Sequence, residues 1–147
     1  MSVVSANNNA LSAITALPDS ISGGALTLIS TQTASSSASL SFTSGIDSTY
    51  KEYMFKFINI HPASDGEHLT FNMSTDSGSN YNVTKTTTYF RAYHGEDASE
   101  GVLDYATAHD LAQSTSFQNL GIQIGNDNDQ QCSGFLTLFN PSSTTYV

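Results

Sequence analysis

Positive charge is what this sequence has least of. Four of its 147 residues are Lys or Arg (Lys51, Lys56, Lys85 and Arg91), against thirteen acidic residues, for a formal net charge of −9. All four cations fall between residues 51 and 91, so the rest of the chain carries acids alone. Holding a phosphate backbone takes clustered cations that displace counterions. No nucleic-acid partner is therefore expected. Cysteine is nearly absent as well: Cys132 stands alone, which excludes an internal disulfide framework. Stability then has to come from a packed core, from oligomerisation, or from both. No apolar run approaches the roughly 18 residues of a membrane span, so no membrane insertion is expected. Nor does any Lys or Arg precede Lys51 to form the charged start of a signal peptide.

Catalytic and metal-binding patterns are missing too. The run Asn126-Asp127-Asn128-Asp129 hints at a calcium loop. Counted from Asp127, however, the Gly and Glu of an EF-hand are replaced by Cys132 and Leu138. An Asx-rich turn is the simpler explanation. His61, His68, His94 and His109 lack zinc-site spacing; His61, before Pro62, is expected to satisfy its ring on backbone. Glu96, Asp97, Glu100 and Asp104 could supply a glycosidase carboxylate pair, but they sit in a polar stretch without the apolar surroundings that raise a carboxyl pKa. The G-x-S-x-G nucleophile elbow is absent, and Cys132 has no neighbouring cation to activate it. The expectation is no enzyme, no cofactor and no metal. Two glycosylation sequons, Asn72-Met73-Ser74 and Asn82-Val83-Thr84, are expected to be fortuitous.

Ser, Thr, Asn and Gln supply most of the polarity instead. Short hydroxyl and amide side chains compete for backbone groups and weaken helices, while they suit strand surfaces and turns. Eight Phe and seven Tyr offer the bulk for a thin core between sheets.

The period along the chain is two from residue 26 onward. Leu26–Thr31 and Ser39–Thr43 read as short strands around a Ser-rich turn. Tyr53–Ile60, apolar on nearly both faces, reads as a central strand halted by His61-Pro62. Leu69, Phe71 and Met73 alternate with polar residues. Asp76-Ser77-Gly78-Ser79-Asn80 is a turn, followed by a long strand from Val83 to Tyr93. Residues 95–116 read as a long loop with some strand. Asn119–Ile124 and Gly134–Phe139 complete about seven strands, which predicts an all-β antiparallel β-sandwich or jelly roll over 26–147. The Pro141–Val147 stretch reads as a turn entering one more strand, as though the sheet were finished by a neighbour or by further chain.

Residues 1–25 differ. Apolar groups at near-helical spacing stop before Pro18, and Gly23-Gly24 makes a hinge. Such a segment is too short to stand alone, so it reads as an arm docking onto a partner through Leu11, Ile14, Leu17 and Ile21. Tyr81 and Tyr93 are candidates for stacking on a glycan.

Four blocks carry a resemblance: Leu28 to Tyr50, Phe57-Ile-Asn-Ile-His-Pro-Ala63, Ser74-Thr-Asp-Ser-Gly-Ser-Asn-Tyr81, and Phe139-Asn-Pro-Ser-Ser-Thr-Thr-Tyr-Val147. Together, over about residues 26–147, they resemble a family of small β-sandwich virion proteins of tailed phages of aquatic bacteria, cyanophages included. The resemblance implies a virion location and a fibre-like or decorating appendage. Its partners would be other head, neck or tail proteins and further copies of itself, with a host surface glycan as the alternative partner. It implies no catalytic residues.

Overall fold

A computed structural model describes residues 26–95, 97 and 99–145. The chain divides into two compact units, Met1–Thr31 and Gln32–Val147. Only 26–31 of the first are described. They carry no regular secondary structure and join no strand ladder among the described residues, with Leu26 and Leu28 exposed. The arm residues Leu11, Ile14, Leu17 and Ile21 lie outside the described residues.

The second unit is all-β, with no α-helix among its described residues. Its elements are β1 (Glu52–Ile60), β2 (Glu67–Phe71), β3 (Phe90–His94), β4 (Gly101–Tyr105), a three-residue 3-10 turn (Thr107–His109), β5 (Gln118–Ile124) and β6 (Cys132–Phe139). They pair as three two-stranded antiparallel sheets: β1 with β6, β2 with β5, and β3 with β4. Only the last is a local hairpin. The turn after Gly125 carries the chain from one sheet to another, because β5 and β6 pair with strands near the start of the unit.

Several expected strands do not form. The Leu26–Thr31 and Ser39–Thr43 segments make no ladder. Hydroxyls in this region close locally: Ser37 Oγ accepts from Ser35 N and donates to Ser35 O, and the Gln32 amide donates to Ser41 O. Backbone groups served this way have less to gain from a ladder. In consequence β1 is not a central strand. Among the described residues it pairs on one side only, and Ile58 is 76% exposed. The long strand expected from Val83 shortens to β3, preceded by an isolated bridge between Lys85 and Ser114. The stretch 95–116, expected as a long loop with some strand, supplies β4 and the 3-10 turn.

Turn chemistry follows the sequence closely at Asp76–Ser79. Ser77 and Gly78 both have positive φ (58° and 87°), and Ser79 N donates to Asp76 O at 3.3 Å. Two successive positive φ values suit a type I′ turn, where glycine is favoured. Space excludes a side chain as well, because a Cβ on Gly78 would meet Thr43 Cγ2 at 2.6 Å.

Packing is thin. Among the apolar side chains of the described residues only Tyr53 and Ala106 are buried outright. Tyr53, Phe55 and Phe57 share one face of β1 with Leu136 and Leu138 of β6. Phe42 packs edge-on against Phe55 there, with ring centroids 5.6 Å apart. Near the bulged end of β1, Phe57, Leu69, Leu120 and Cys132 from four strands border a cleft of ≈ 100 Å³. Gly121 permits the close approach, since a Cβ there would lie 3.2 Å from Cys132 Sγ.

Candidate functional site

The most ordered polar constellation lies where the 72–87 segment, the 3-10 turn and the start of β5 converge. Gln118 is 5% exposed and Lys85 9%. Buried polar groups must find partners or lose free energy, and both do. The Gln118 amide donates to His109 O at 2.9 Å and Asn119 O at 3.0 Å, while its carbonyl accepts from the Thr87 hydroxyl. Thr87 Oγ1 in turn accepts from Leu111 N. His109 shares a hydrogen bond with Asn119 through Nδ1 and lies beside the Tyr89 ring at 5.3 Å.

Lys85 is the chemically suggestive member. Its Nζ donates to Asn72 Oδ1 at 2.6 Å and Val83 O at 3.1 Å, with neither acceptor charged. Burial without a counter-ion holds its pKa below the ordinary lysine value. A depressed lysine can serve as a nucleophile. Here, though, the amine is tied down by two acceptors. Asn72 is the hub of this end, with its amide donating to Tyr81 O at 2.7 Å and Thr115 O at 3.0 Å. Lys85 therefore acts as a clamp on Asn72, joining β2's C-terminal extension to the 81–87 segment. Pattern reading missed this cluster, because its members are far apart in sequence and no motif joins them. Asn72 drew notice only as a sequon.

Of the acids named from sequence, the described ones, Asp97, Glu100 and Asp104, each have a partner other than another carboxylate. Glu96 lies outside the described residues. Asp97 caps its own turn, accepting from Ser99 N at 3.0 Å and Ser99 Oγ at 2.6 Å. Asp104 faces Arg91 across the β3–β4 hairpin, at 2.7 Å to Nε and 3.1 Å to Nη2. These hydrogen bonds hold both carboxyls below their ordinary pKa. That is the opposite of the shift a general acid needs. Glu100 accepts a long hydrogen bond from Tyr93 at 3.5 Å.

Among the described residues no three His, Cys, Asp or Glu side chains gather as a metal site. His61 Nε2 bonds Asp127 O at 2.9 Å, which ties the end of β1 to the Asx-rich turn. No helix among them is long and apolar enough to cross a membrane.

Tyr81 and Tyr93 occupy different settings. Tyr81 is half-buried behind the Asp76–Ser79 turn, where its hydroxyl lies beside Gly78. Tyr93 is 42% exposed on β3, with the Arg91 guanidinium 5.3 Å from its ring centroid. No ring contact joins them among the described residues. The two tyrosines thus do not make a shared platform, and Tyr93 alone presents an open ring.

No protein-family model, curated protein or solved structure matches this chain.

Proposed function

We propose that the chain is a structural component of a tailed-phage virion, a β-sandwich appendage of the tail-fibre or head-decoration type. In this reading residues 1–25 attach it to other virion proteins, several copies assemble together, and their two-stranded sheets pack as sandwich layers. The observation that carries the proposal is how the surface is divided. Polar clusters with chemical potential, around Lys85 and Asp104, are consumed in holding the chain together. Large apolar side chains such as Phe90 (71%), Leu103 (83%) and Phe139 (74%) remain exposed. Apolar surface of this kind is typical of a chain that completes itself against neighbours. The family resemblance of residues 26–147 supplies the virion setting.

Deleting residues 2–22 tests the reading. Particles assembled with the shortened chain are expected to lack it, while the circular dichroism of the isolated protein stays that of the full chain. Normal incorporation would overturn the attachment role. A glycan-binding module for receptor recognition is the second reading, favoured by the open ring of Tyr93 beside Arg91. It would show as binding on a glycan array that survives the same deletion and is lost in Tyr93→Ala.

A further inference from the structure

One face of the β1–β6 ladder is largely exposed among the described residues. Directly opposed residues in an antiparallel pair project to the same side, so Glu52 with Phe139, Met54 with Thr137, and Lys56 with Phe135 form one surface. The opposite surface carries Tyr53, Phe55, Leu136 and Leu138 and is the side packed by Phe42. On the first surface Phe135 is 72% exposed, Phe139 74% and Met54 38%. Ile58 extends the row at the bulge between Phe57 and Ile60. The two phenyl rings alone leave about 300 Å² of apolar area in water. Adding Met54 and Ile58 brings the patch to the few hundred Å² that mark an interaction site.

Charge on this surface selects the occupant. Glu52 stands at one end beside Phe139 and Lys56 at the other beside Phe135, roughly 13 Å apart along the strand. Neither forms an ion pair among the described residues, where the sole ion pair is Arg91–Asp104. A two-fold axis lying between two such faces, across the strands near Met54, reverses the strand direction of the second copy. Lys56 of each copy then meets Glu52 of the other, and Phe135 meets Phe139. An isologous interface requires this self-complementarity.

We propose that a second copy of this chain covers the Glu52–Phe139, Met54–Thr137 and Lys56–Phe135 face, forming a two-fold dimer whose β1–β6 sheets stack. Covering about twice the patch plus its charged rim approaches the ~1,000 Å² of a specific interface. The interface rests on the homo-oligomeric part of the proposed function, and it is tested in solution so that the two can fail separately.

Sedimentation equilibrium of the full chain is expected to give the mass of two copies. Phe135→Glu should yield a monomer with an unchanged circular dichroism spectrum. Glu52→Lys and Lys56→Glu should each weaken association about tenfold, since two symmetric contacts become repulsive. The double swap Glu52→Lys/Lys56→Glu should restore it, a result that general destabilisation cannot produce. A monomeric wild-type chain would overturn the proposal. A dimer indifferent to both single charge reversals, or not rescued by the double swap, would overturn it in favour of another face. Particle incorporation that persists in a monomeric Phe135→Glu variant would separate attachment from dimerisation.

Discussion

The neighbourhood of Gln118 and the outer surface of the β3–β4 hairpin show two ways of holding strands together. Around Gln118 the backbone is irregular and little of it is strand, yet its polar side chains are paired: Gln118 with Thr87, His109 and Asn119, and nearby along the chain Lys85 with Asn72. The β3–β4 hairpin has a continuous ladder from Phe90–Tyr105 to His94–Gly101. One of its faces carries the bidentate Arg91–Asp104 pair with Tyr93 and Val102, and the other leaves Phe90 and Leu103 in water. Regular hydrogen bonding does not make a region self-sufficient. In the first region the side chains specify the fold, and in the second the backbone does while the side chains await cover.

The contrast can be broken most severely at Gln118. Gln118→Leu removes three hydrogen bonds and leaves half-buried partners unpaired, so urea unfolding should show a loss of about 2–4 kcal/mol. A loss below about 1 kcal/mol would mean that the network contributes little. Gly78→Ala comes next. Positive φ and the clash with Thr43 should together cost about 1–3 kcal/mol, measurable as a lowered melting temperature with the secondary structure retained.

Asp76 gives a smaller, pH-dependent effect. Ser74 and Asn80 hydrogen-bond its carboxylate and hold its pKa at about 2, below the ordinary 3.8. A lowered folded-state value means that the unfolded chain binds the proton more readily. The stabilisation is therefore complete above pH 3.8 and lost as pH falls through about 2. Asp76→Asn should flatten that acid limb of a stability-against-pH curve, lowering stability in the neutral region while leaving it nearly unchanged below about pH 2. At the bottom of the scale, Leu103→Ser on the open hairpin face should change the stability of the unassembled chain by no more than about 0.5 kcal/mol. A larger loss would show that the face is not open in solution.

Strands with strong alternation and distinct ends were legible from sequence. Tyr53–Ile60, Asn119–Ile124 and Gly134–Phe139 all lie within observed strands, and the Asp76–Asn80 turn forms with Gly78 at positive φ. Alternation misled where serine dominates, because Ser35 and Ser37 offer the backbone local partners that compete with a ladder. It also misled over Val83–Tyr93. There Thr87 N turns to Leu111 O, and Lys85 pairs with Ser114, which breaks the strand before β3. Pairing partners were not legible at all, since β2–β5 and β1–β6 join residues 47 to 87 positions apart. For the same reason the polar net could not be read. Asn72, Lys85 and Gln118 become one site only when the chain brings them together. Tyr81 looked like a surface ring and is half-buried instead, because the turn preceding it folds back over its hydroxyl.

The amide of Asn72 has a consequence for how the protein can be produced. Both of its hydrogens are already donated, to Tyr81 O and Thr115 O, and the residue heads an Asn-Met-Ser sequon. A glycan attached at that nitrogen would consume one hydrogen and wedge a bulky sugar between two backbone segments. Oligosaccharide transfer at residue 72 and the native arrangement are thus mutually exclusive. In a eukaryotic secretory host, chains modified there are expected to appear among misfolded material. Asn82, whose side chain is exposed, could carry the same modification without that conflict.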